Sequence, residues 1–247
     1  AGGMESMSNA PQLLMGQRTG KKMGDSKLID SMIHDGLWDV YNNMHMGNTG
    51  EVVARECSID RSQADAFSVQ SHMKAAKAWE EGWFDWETFA LEIPQRRGDS
   101  LLLERDEGIR ADSSVEHLST LRTVFDKDGI VTAGNASTLN DGASAVLVTS
   151  EAFAKSQGWE IIATIEDYCT AGVEPERVMS APIPAVKNLL ERNDLNVLDV
   201  DVYEHNEAFA SASCAVAQEV GIPHDRFNLH GGAVSLGHPL GSSGTRC

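Results

Sequence analysis

Hydrophobic and polar positions follow a helical period in several parts of residues 10–127, a region that is also rich in Gly, Met and charge. One predicted helical face covers residues 28–33 and would end at Gly36, because glycine favours helix termination. Thr49 is predicted to cap a second helix. Asp60 is predicted to cap a longer helix, whose apolar stripe is formed by Ala66, Val69, Met73 and Ala76.

From about residue 128 the pattern changes to short apolar runs that alternate with helical segments. The run from Ala143 to Val148 predicts a strand that is buried on both faces. Further strands are predicted at 161–167, 200–204 and 227–229, and helices at 151–157, 182–193 and 207–220. Strands that alternate with helices predict a layered α/β architecture.

Composition limits the class of protein. The 247 residues are 41% hydrophobic and 23% charged, which is typical of a folded domain rather than of a disordered chain. The four cysteines lie far apart and form no Cys-x-x-Cys pair, so we expect neither a metal site nor a disulfide framework. No apolar run is long enough to span a bilayer. We expect a cytoplasmic protein, with an organelle as the alternative.

The charge distribution favours some classes of ligand over others. The net charge of −17 would repel nucleic acid and anionic lipid. Residues 10–127 hold fourteen of the twenty Lys and Arg against twenty acids, whereas the other residues hold six bases against seventeen acids. The first region is therefore the better place for an anionic ligand.

A glycine-rich segment, residues 228–245, presents a histidine in a restricted setting. His238 lies between Gly237 and Pro239, and proline restricts both its own backbone and the residue before it. A histidine held in this way suits a general base or an oxyanion donor. The alternative is a structural histidine in a turn.

Asn206 is the second candidate, because it lies where a predicted strand meets a predicted helix. Catalytic groups are common at such strand ends in open α/β sheets. Asn206 could equally be the N-cap of the helix, and the two roles are compatible.

Several segments together resemble the thiolase family, in the family's order. They are Ala1–Ala10, His45-Met46-Gly47, Thr132–Ser137, Asn206–Ala210 and Asn228–Gly244. The resemblance covers essentially the whole chain and implies a layered αβαβα fold, here incomplete, with an inserted α-rich loop domain. It implies that residues 1–9 and 126–157 belong to the N-terminal half, 10–125 to the loop domain that covers coenzyme A, and 158–247 to the C-terminal half.

The resemblance also implies a reaction. A cysteine thiolate takes up an acyl group, and a second cysteine removes a proton from acetyl-CoA, so that 3-ketoacyl-CoA is cleaved or two acetyl-CoA condense. His238 would activate the nucleophilic thiol and donate to the thioester oxyanion, and Asn206 would position a water there. The substrates are acyl-CoA and CoA, no cofactor is expected, and acetyl-CoA C-acetyltransferase is favoured over a longer-chain thiolase.

Further residues correspond to the family's CoA and acyl contacts. Arg110 matches a position that contacts the nucleotide, and Ala136 and Ser137 match contacts of the pantetheine arm. The implied pocket wall consists of five residues: Met46, Phe125, Met179, Ala208 and Phe209.

The family's two catalytic cysteines would lie upstream of residue 1 and beyond residue 247, so we expect this span to be inactive alone. Cys57, Cys214 and Cys247 do not match their positions. A homodimer or homotetramer is expected for the complete protein. The alternatives are a non-catalytic CoA- or lipid-binding relative and a decarboxylating ketoacyl synthase, which the segment Asn206–Phe209 disfavours.

Overall fold

The computed structural model describes all residues, 1–247, and contains eight short strands and eight α-helices, besides four short 3-10 helices and one π-helical turn. The strands are β1 (Gly2–Ser6), β2 (Gln12–Leu14), β3 (Leu28–Asp30), β4 (Trp38–Asp39), β5 (Met44–His45), β6 (Leu91–Ile93), β7 (Leu101–Leu103) and β8 (Asp141–Ala145). The helices are α1 (Met46–Glu56), α2 (Arg61–Glu80), α3 (Val115–Ser119), α4 (Glu151–Gln157), α5 (Pro182–Arg192), α6 (Ala210–Val220), α7 (Ala233–Leu236) and α8 (Leu240–Arg246). None of these helices combines the length and the apolar character that crossing a membrane requires.

All four strand pairs are antiparallel, and one of them joins distant parts of the chain. β1 pairs with β8 along its whole length, from Gly2 opposite Ala145 to Ser6 opposite Asp141. Helix α8 packs on this pair so closely that a Cβ atom at Gly3 would lie 1.6 Å from the carbonyl oxygen of Gly241. The pairs β2–β3, β4–β5 and β6–β7 are each formed by strands that follow one another in sequence.

The N-terminus of α2 forms as the sequence predicts, whereas that of α1 does not. The Asp60 carboxylate accepts from the backbone N–H of Gln63 at 2.8 Å, and the Gln63 side chain accepts from the backbone N–H of Asp60. The predicted cap at Thr49 is wrong, because α1 already begins at Met46. There the imidazole of His45 accepts from the backbone N–H of Gly47, and the Thr49 hydroxyl donates to the Met46 carbonyl.

The predicted apolar stripe of α2 is also wrong. Met73 is 57% exposed, and the other three stripe positions are only partly buried. The buried face instead carries small or polar residues, such as Ser68, Ser71 and Ala75. Small side chains allow α2 to approach α6 and α7 closely, and this close approach decides which face is buried.

Helix α6 lies between α1 and α2 and joins the two parts of the core. Its sequence is rich in Ala and Ser, and Ser211 donates to the carbonyl of Gly50 in α1 at 3.0 Å. One core cluster lies on the α2 and α5 side of α6: Ala64, Phe67, Leu190, Ala210, Val216, Ala217, Val220, Ile222, Phe227 and Val234. The other lies on the α1 side: Val53, Ala54, Ile59, Val131, Phe209, Ala212 and Ala215.

Several predicted elements change once the tertiary contacts form. Residues 28–33 do not make one helical face, because Leu28–Asp30 pair with β2 as β3 and a single π-helical turn follows at Met32–Gly36. The run Ala143–Val148 is not buried on both faces. β8 ends at Ala145, and Leu147 is 76% exposed.

The later strands are shorter than predicted or absent. The stretch 161–167 pairs with none of the eight strands and forms no strand itself. The strands predicted at 200–204 and 227–229 reduce to one parallel bridge between Tyr203 and Phe227. The helices at 151–157 and 182–193 are confirmed, the second ending at Arg192. The helix predicted from residue 207 begins only at Ala210.

Candidate active site

The loop that carries His238 has a backbone that only glycine accommodates easily. Gly237 has φ +85° and ψ 167°, and a Cβ atom there would lie 2.2 Å from Oδ1 of Asn140. The same Asn140 oxygen accepts from the backbone N–H of His238 at 3.3 Å. Pro239 then caps α8, so the histidine backbone is fixed on both sides.

The imidazole of His238 is held at both ring nitrogens. Nδ1 lies 2.7 Å from the Ser243 hydroxyl, and Nε2 lies 3.2 Å from the side-chain amide nitrogen of Asn206. Burial lowers the pKa of His238 below its usual value, and the nearby Arg246 guanidinium lowers it further. A lowered pKa keeps the ring neutral near pH 7, which is the form that can accept a proton.

The amide of Asn206 is free to face the histidine because it does not cap a helix. Phe209 occupies the N-cap position of α6, so the predicted capping role of Asn206 is wrong. Oδ1 of Asn206 is buried and accepts no hydrogen bond from the protein. A buried polar atom without a partner is rare in folded proteins and indicates a site for a ligand or an ordered water.

The segment around Asn206 is held by Asn228, a residue with φ +46°. Its Oδ1 accepts from the backbone N–H of His205 at 2.7 Å, and its Nδ2 donates to the His205 carbonyl at 2.9 Å. The same Nδ2 donates to the Glu207 carboxylate at 2.8 Å. These bonds hold the two neighbours of Asn206, His205 by its backbone and Glu207 by its side chain.

Glu207 connects three parts of the protein through one buried carboxylate. Besides Asn228, it accepts from the Ser71 hydroxyl on α2 at 2.6 Å and from the backbone N–H of Val234 in α7 at 3.1 Å. Burial raises the pKa of Glu207, and these hydrogen bonds oppose that rise. The carboxylate thereby ties the Asn206 segment to the loop that carries His238.

The residues predicted to contact the pantetheine arm lie directly beside the Asn206 segment. The backbone N–H of Ser137 donates to the Ala208 carbonyl at 3.0 Å, and Ala136 forms a bridge with Phe209. Asn135 anchors this stretch, because its side chain donates to the buried Asp65 carboxylate at 2.9 Å. The structure thus brings residues 135–137 to the site predicted around Asn206.

The predicted pocket wall is largely assembled in one place. Phe125 stacks on His45 with ring centroids 4.8 Å apart and meets Phe209 edge to face at 6.3 Å. Met179 and Ala208 pack against the same core cluster as Phe125. Met46 adjoins His45 at the start of α1 but faces a separate hollow of about 200 Å³, lined by Trp38, Asp39, Val40, Tyr41, Pro175 and Val178.

Arg110 lies outside this cluster, on a segment that touches the His238 loop. A Cβ atom at Gly108 would lie 2.9 Å from the Ser235 carbonyl oxygen, so residues 108–110 run close to α7. The backbone N–H of Arg110 donates to Nδ1 of the buried His72 at 3.2 Å. The guanidinium itself is exposed and forms no ion pair, so it can meet an anionic ligand.

The cysteines of this span take no part in the site. Cys57, Cys169, Cys214 and Cys247 are all free thiols, and none of them bonds to His238. Burial raises the pKa of Cys214 to about 12, which disfavours the reactive thiolate. No cluster of three or more His, Cys, Asp or Glu is arranged to hold a metal ion.

Sequence reasoning missed the residues that support the site. Ser243 and Asn140 contact His238 directly, and Glu207 accepts from Asn228, which holds the backbone beside Asn206. Ser243 lies in the glycine-rich segment and Glu207 follows Asn206, so motif position could have indicated both. Asn140 is 98 residues from His238, and no local pattern marks it.

Comparisons with known proteins agree along the whole chain. Residues 1–152 match the family model "Thiolase, N-terminal domain", and residues 159–247 match "Thiolase, C-terminal domain". Probable acetyl-CoA acyltransferases of Staphylococcus epidermidis and Staphylococcus aureus are 47% identical over 246 residues, which is 100% of this chain. The chain spans 62% to 63% of the length of these relatives.

Solved structures show the same similarity in three dimensions. Human mitochondrial 3-ketoacyl-CoA thiolase superposes with a TM-score of 0.95 at 37% identity, covering 100% of this chain and 62% of that one. Bacillus anthracis acetyl-CoA acetyltransferase superposes with a TM-score of 0.93 at 39% identity, covering 98% and 61%. The human enzyme in complex with CoA gives 0.93 at 37% identity, covering 99% and 61%. These similarities confirm the layered α/β fold class that the sequence predicts.

Proposed function

Because the chain belongs to the thiolase family, we propose that the whole protein is an acyl-CoA C-acyltransferase. It would cleave 3-ketoacyl-CoA with CoA or condense two acetyl-CoA through an acyl-cysteine intermediate. The observation that carries this proposal is the 3.2 Å contact between Asn206 and Nε2 of His238, beside a buried amide oxygen without a partner. No observation favours the alternative, a non-catalytic CoA- or lipid-binding protein.

His238 has the properties of the base that activates the nucleophilic cysteine. Its lowered pKa leaves the ring neutral, so Nε2 can take the proton of the thiol. In the condensation direction the thiolate sulfur then attacks the carbonyl of acetyl-CoA, a new C–S bond forms, the C–S bond to CoA breaks, and CoA leaves with the proton that Nε2 took from the thiol. In the cleavage direction the sulfur attacks the 3-keto carbon, the C2–C3 bond breaks, and the acetyl-CoA carbanion that leaves takes up a proton. The protonated Nε2 can meanwhile donate to the oxyanion.

Asn206 would act at the same oxyanion through a water. Its amide lies beside Nε2 of His238, so a water that bonds to this amide would stand next to the histidine donor. Two donors at one oxygen stabilise the charge that develops in the transition state. Glu207 and Asn228 keep this amide in position by fixing the backbone around it.

The substrate would extend from the catalytic pair past Ala136 and Ser137 toward Arg110. Ala136 and Ser137 lie against the Asn206 segment, as the pantetheine arm requires. The exposed Arg110 guanidinium suits the phosphates of CoA. We propose that residues 10–125 form the domain that covers this ligand, and that CoA thioesters are the substrates with no further cofactor. For the whole protein, assembly as a homodimer or homotetramer and a cytoplasmic location are further predictions.

We favour acetyl-CoA and acetoacetyl-CoA over longer chains. Phe125 is packed between His45 and Phe209, and Met179 contacts the same cluster, so the wall around the acyl group is filled with side chains. The whole protein should therefore cleave acetoacetyl-CoA with a higher kcat/KM than a longer 3-ketoacyl-CoA. A higher kcat/KM for the longer substrate would contradict this preference but not the reaction class.

The test of the catalytic pair is thiolysis of acetoacetyl-CoA by the whole protein and its variants. His238→Ala should lower kcat by several orders of magnitude, since an oxyanion donor contributes about 10²–10³ and a general base about 10²–10⁴. Asn206→Ala should cost less, and the double variant should lose less than the product of both effects, because both residues serve one oxyanion. His230→Ala, which removes a histidine from the same glycine-rich segment, is the control. A His238→Ala protein with kcat within about tenfold of the parent would refute the assignment.

Arg110 is tested by comparing two thioesters. Arg110→Ala should raise KM for the CoA thioester about fivefold and leave a short pantetheine thioester unchanged, because exposed ion pairs contribute at most about 1 kcal/mol. Arg97→Ala, which removes another exposed charge between β6 and β7, controls for the loss of one positive charge from the overall electrostatic field of the protein. Equal losses with both thioesters would show that Arg110 is structural.

A further inference from the structure

Ser243 is placed to control the protonation state of the catalytic histidine. It lies in α8, is only 2% exposed, and has two polar neighbours. Its hydroxyl oxygen lies 2.7 Å from Nδ1 of His238, and its O–H group donates to the Pro239 carbonyl at 3.1 Å.

The direction of these hydrogen bonds follows from proton counting. A serine hydroxyl has one proton, and a carbonyl oxygen can only accept. With the Ser243 proton directed at Pro239, the hydroxyl oxygen accepts from Nδ1 of His238, which must then carry hydrogen. On the opposite side of the ring, Nδ2 of Asn206 faces Nε2 at 3.2 Å and can only donate.

Both sides of the ring therefore require the same tautomer. With hydrogen on Nδ1, all three contacts pair a donor with an acceptor. With hydrogen on Nε2, two donors would face each other across the Asn206 contact. We propose that Ser243 is a positioning residue that fixes neutral His238 as the Nδ1–H tautomer, so that Nε2 is the ring nitrogen without hydrogen and the one that can take up a proton.

The tautomer has a direct consequence for proton transfer, and this consequence rests on the proposed function. Nε2 accepts the thiol proton, and Nδ1 keeps its hydrogen bond to Ser243 while the ring becomes an imidazolium. A hydrogen bond is stronger when its donor, here the N–H group of the ring, carries a positive charge. Ser243 therefore stabilises the protonated ring more than the neutral ring.

The experiment on this chain is nuclear magnetic resonance of protein labelled with ¹⁵N-histidine, with long-range ¹H–¹⁵N correlations at a pH where His238 is neutral. The His238 signals are assigned by their loss in His238→Gln. We expect a protonated Nδ1 and an unprotonated Nε2 in the wild type. In Ser243→Ala we expect this fixed pattern to give way to a mixture that contains the Nε2–H form.

A matched control is available in the neighbouring serine. Ser242 is also 2% exposed, but its hydroxyl donates to Ser144 at 3.0 Å and does not touch His238. Ser242→Ala should therefore keep the wild-type tautomer. A protonated Nε2 in the wild type, or an unchanged tautomer in Ser243→Ala, would overturn the proposal.

Kinetics of the whole protein provide a second readout. Ser243→Ala should lower kcat about 10- to 100-fold, the size expected for losing a hydrogen bond to a charged group, while KM changes little. The acidic limb of the pH–kcat profile should move to lower pH, because the protonated ring loses more stabilisation than the neutral one. If the tautomer is as proposed but the whole protein shows no thiolysis, the proposed function fails and the assignment of Ser243 to the tautomer stands.

Discussion

His205 offers a sharp test of how burial is coupled to stability beside the candidate site. The ring stacks on Phe227 with centroids 5.8 Å apart, and its Nδ1 lies 3.1 Å from the Ser213 hydroxyl. Burial lowers the pKa of His205 from 6.5 to about 4. The folded protein therefore holds this ring neutral at a pH where the unfolded chain would protonate it.

The sign and size of the effect follow from proton linkage. Between pH 6.5 and about 4 the unfolded state binds more protons at this residue than the folded state, so the free energy of unfolding falls as the pH falls. His205 contributes its full stabilisation above pH 6.5 and loses it progressively down to about pH 4. At 1.36 kcal/mol per pKa unit, the loss is about 2 kcal/mol at pH 5 and about 3 kcal/mol below pH 4.

Urea unfolding followed by tryptophan fluorescence, at about pH 7.5 and about pH 5, measures this difference. Other histidines add losses of the same sign, because burial also lowers the pKa of His45, His72 and His238. The informative quantity is therefore the difference between variants. The wild type should lose about 2 kcal/mol more than His205→Gln on acidification, and the exposed His117→Gln should behave as the wild type. Equal losses for the wild type and His205→Gln would refute the reasoning.

Three further changes, each measured by urea unfolding, test single contacts. Gly237→Ala should destabilise the protein by about 2–4 kcal/mol and lower the activity of the whole protein, because the residue has φ +85° and its new methyl group would meet Asn140. Gly244→Ala in the same segment meets no atom within 4 Å and should be neutral or stabilising, and a similar loss in both variants would contradict this explanation. Gly3→Ala should cost about 1–3 kcal/mol, because its methyl group would collide with a backbone oxygen of α8, and an unchanged midpoint would show that β1 and α8 can separate freely. Asp60→Ala should cost about 1 kcal/mol by removing the cap of α2, and no loss would show that the capping box is dispensable.

Local sequence signals determined the parts of the fold that depend on neighbouring residues. The Asp60 cap and the bounds of α4 and α5 were predictable, because capping and helix termination involve residues only a few positions apart. The fold class and the candidates His238 and Asn206 also came from the sequence, through motifs that resemble a family.

Tertiary structure decided the features that depend on residues far apart in the chain. The small and polar residues of α2 are buried because α6 and α7 pack on them, a contact that helical periodicity cannot indicate. Residues 28–30 form a strand only because β2 offers its backbone groups for pairing.

The candidate site also combines residues that the sequence identifies with contacts that only the folded chain shows. The sequence identified His238 and Asn206, but their contact spans 32 residues and depends on the late start of α6 at Ala210. Asn228 and Glu207 fix the backbone around Asn206 and keep its amide out of the helix. Because these hydrogen bonds join residues that are distant in sequence, only the folded chain could show that the amide faces the histidine.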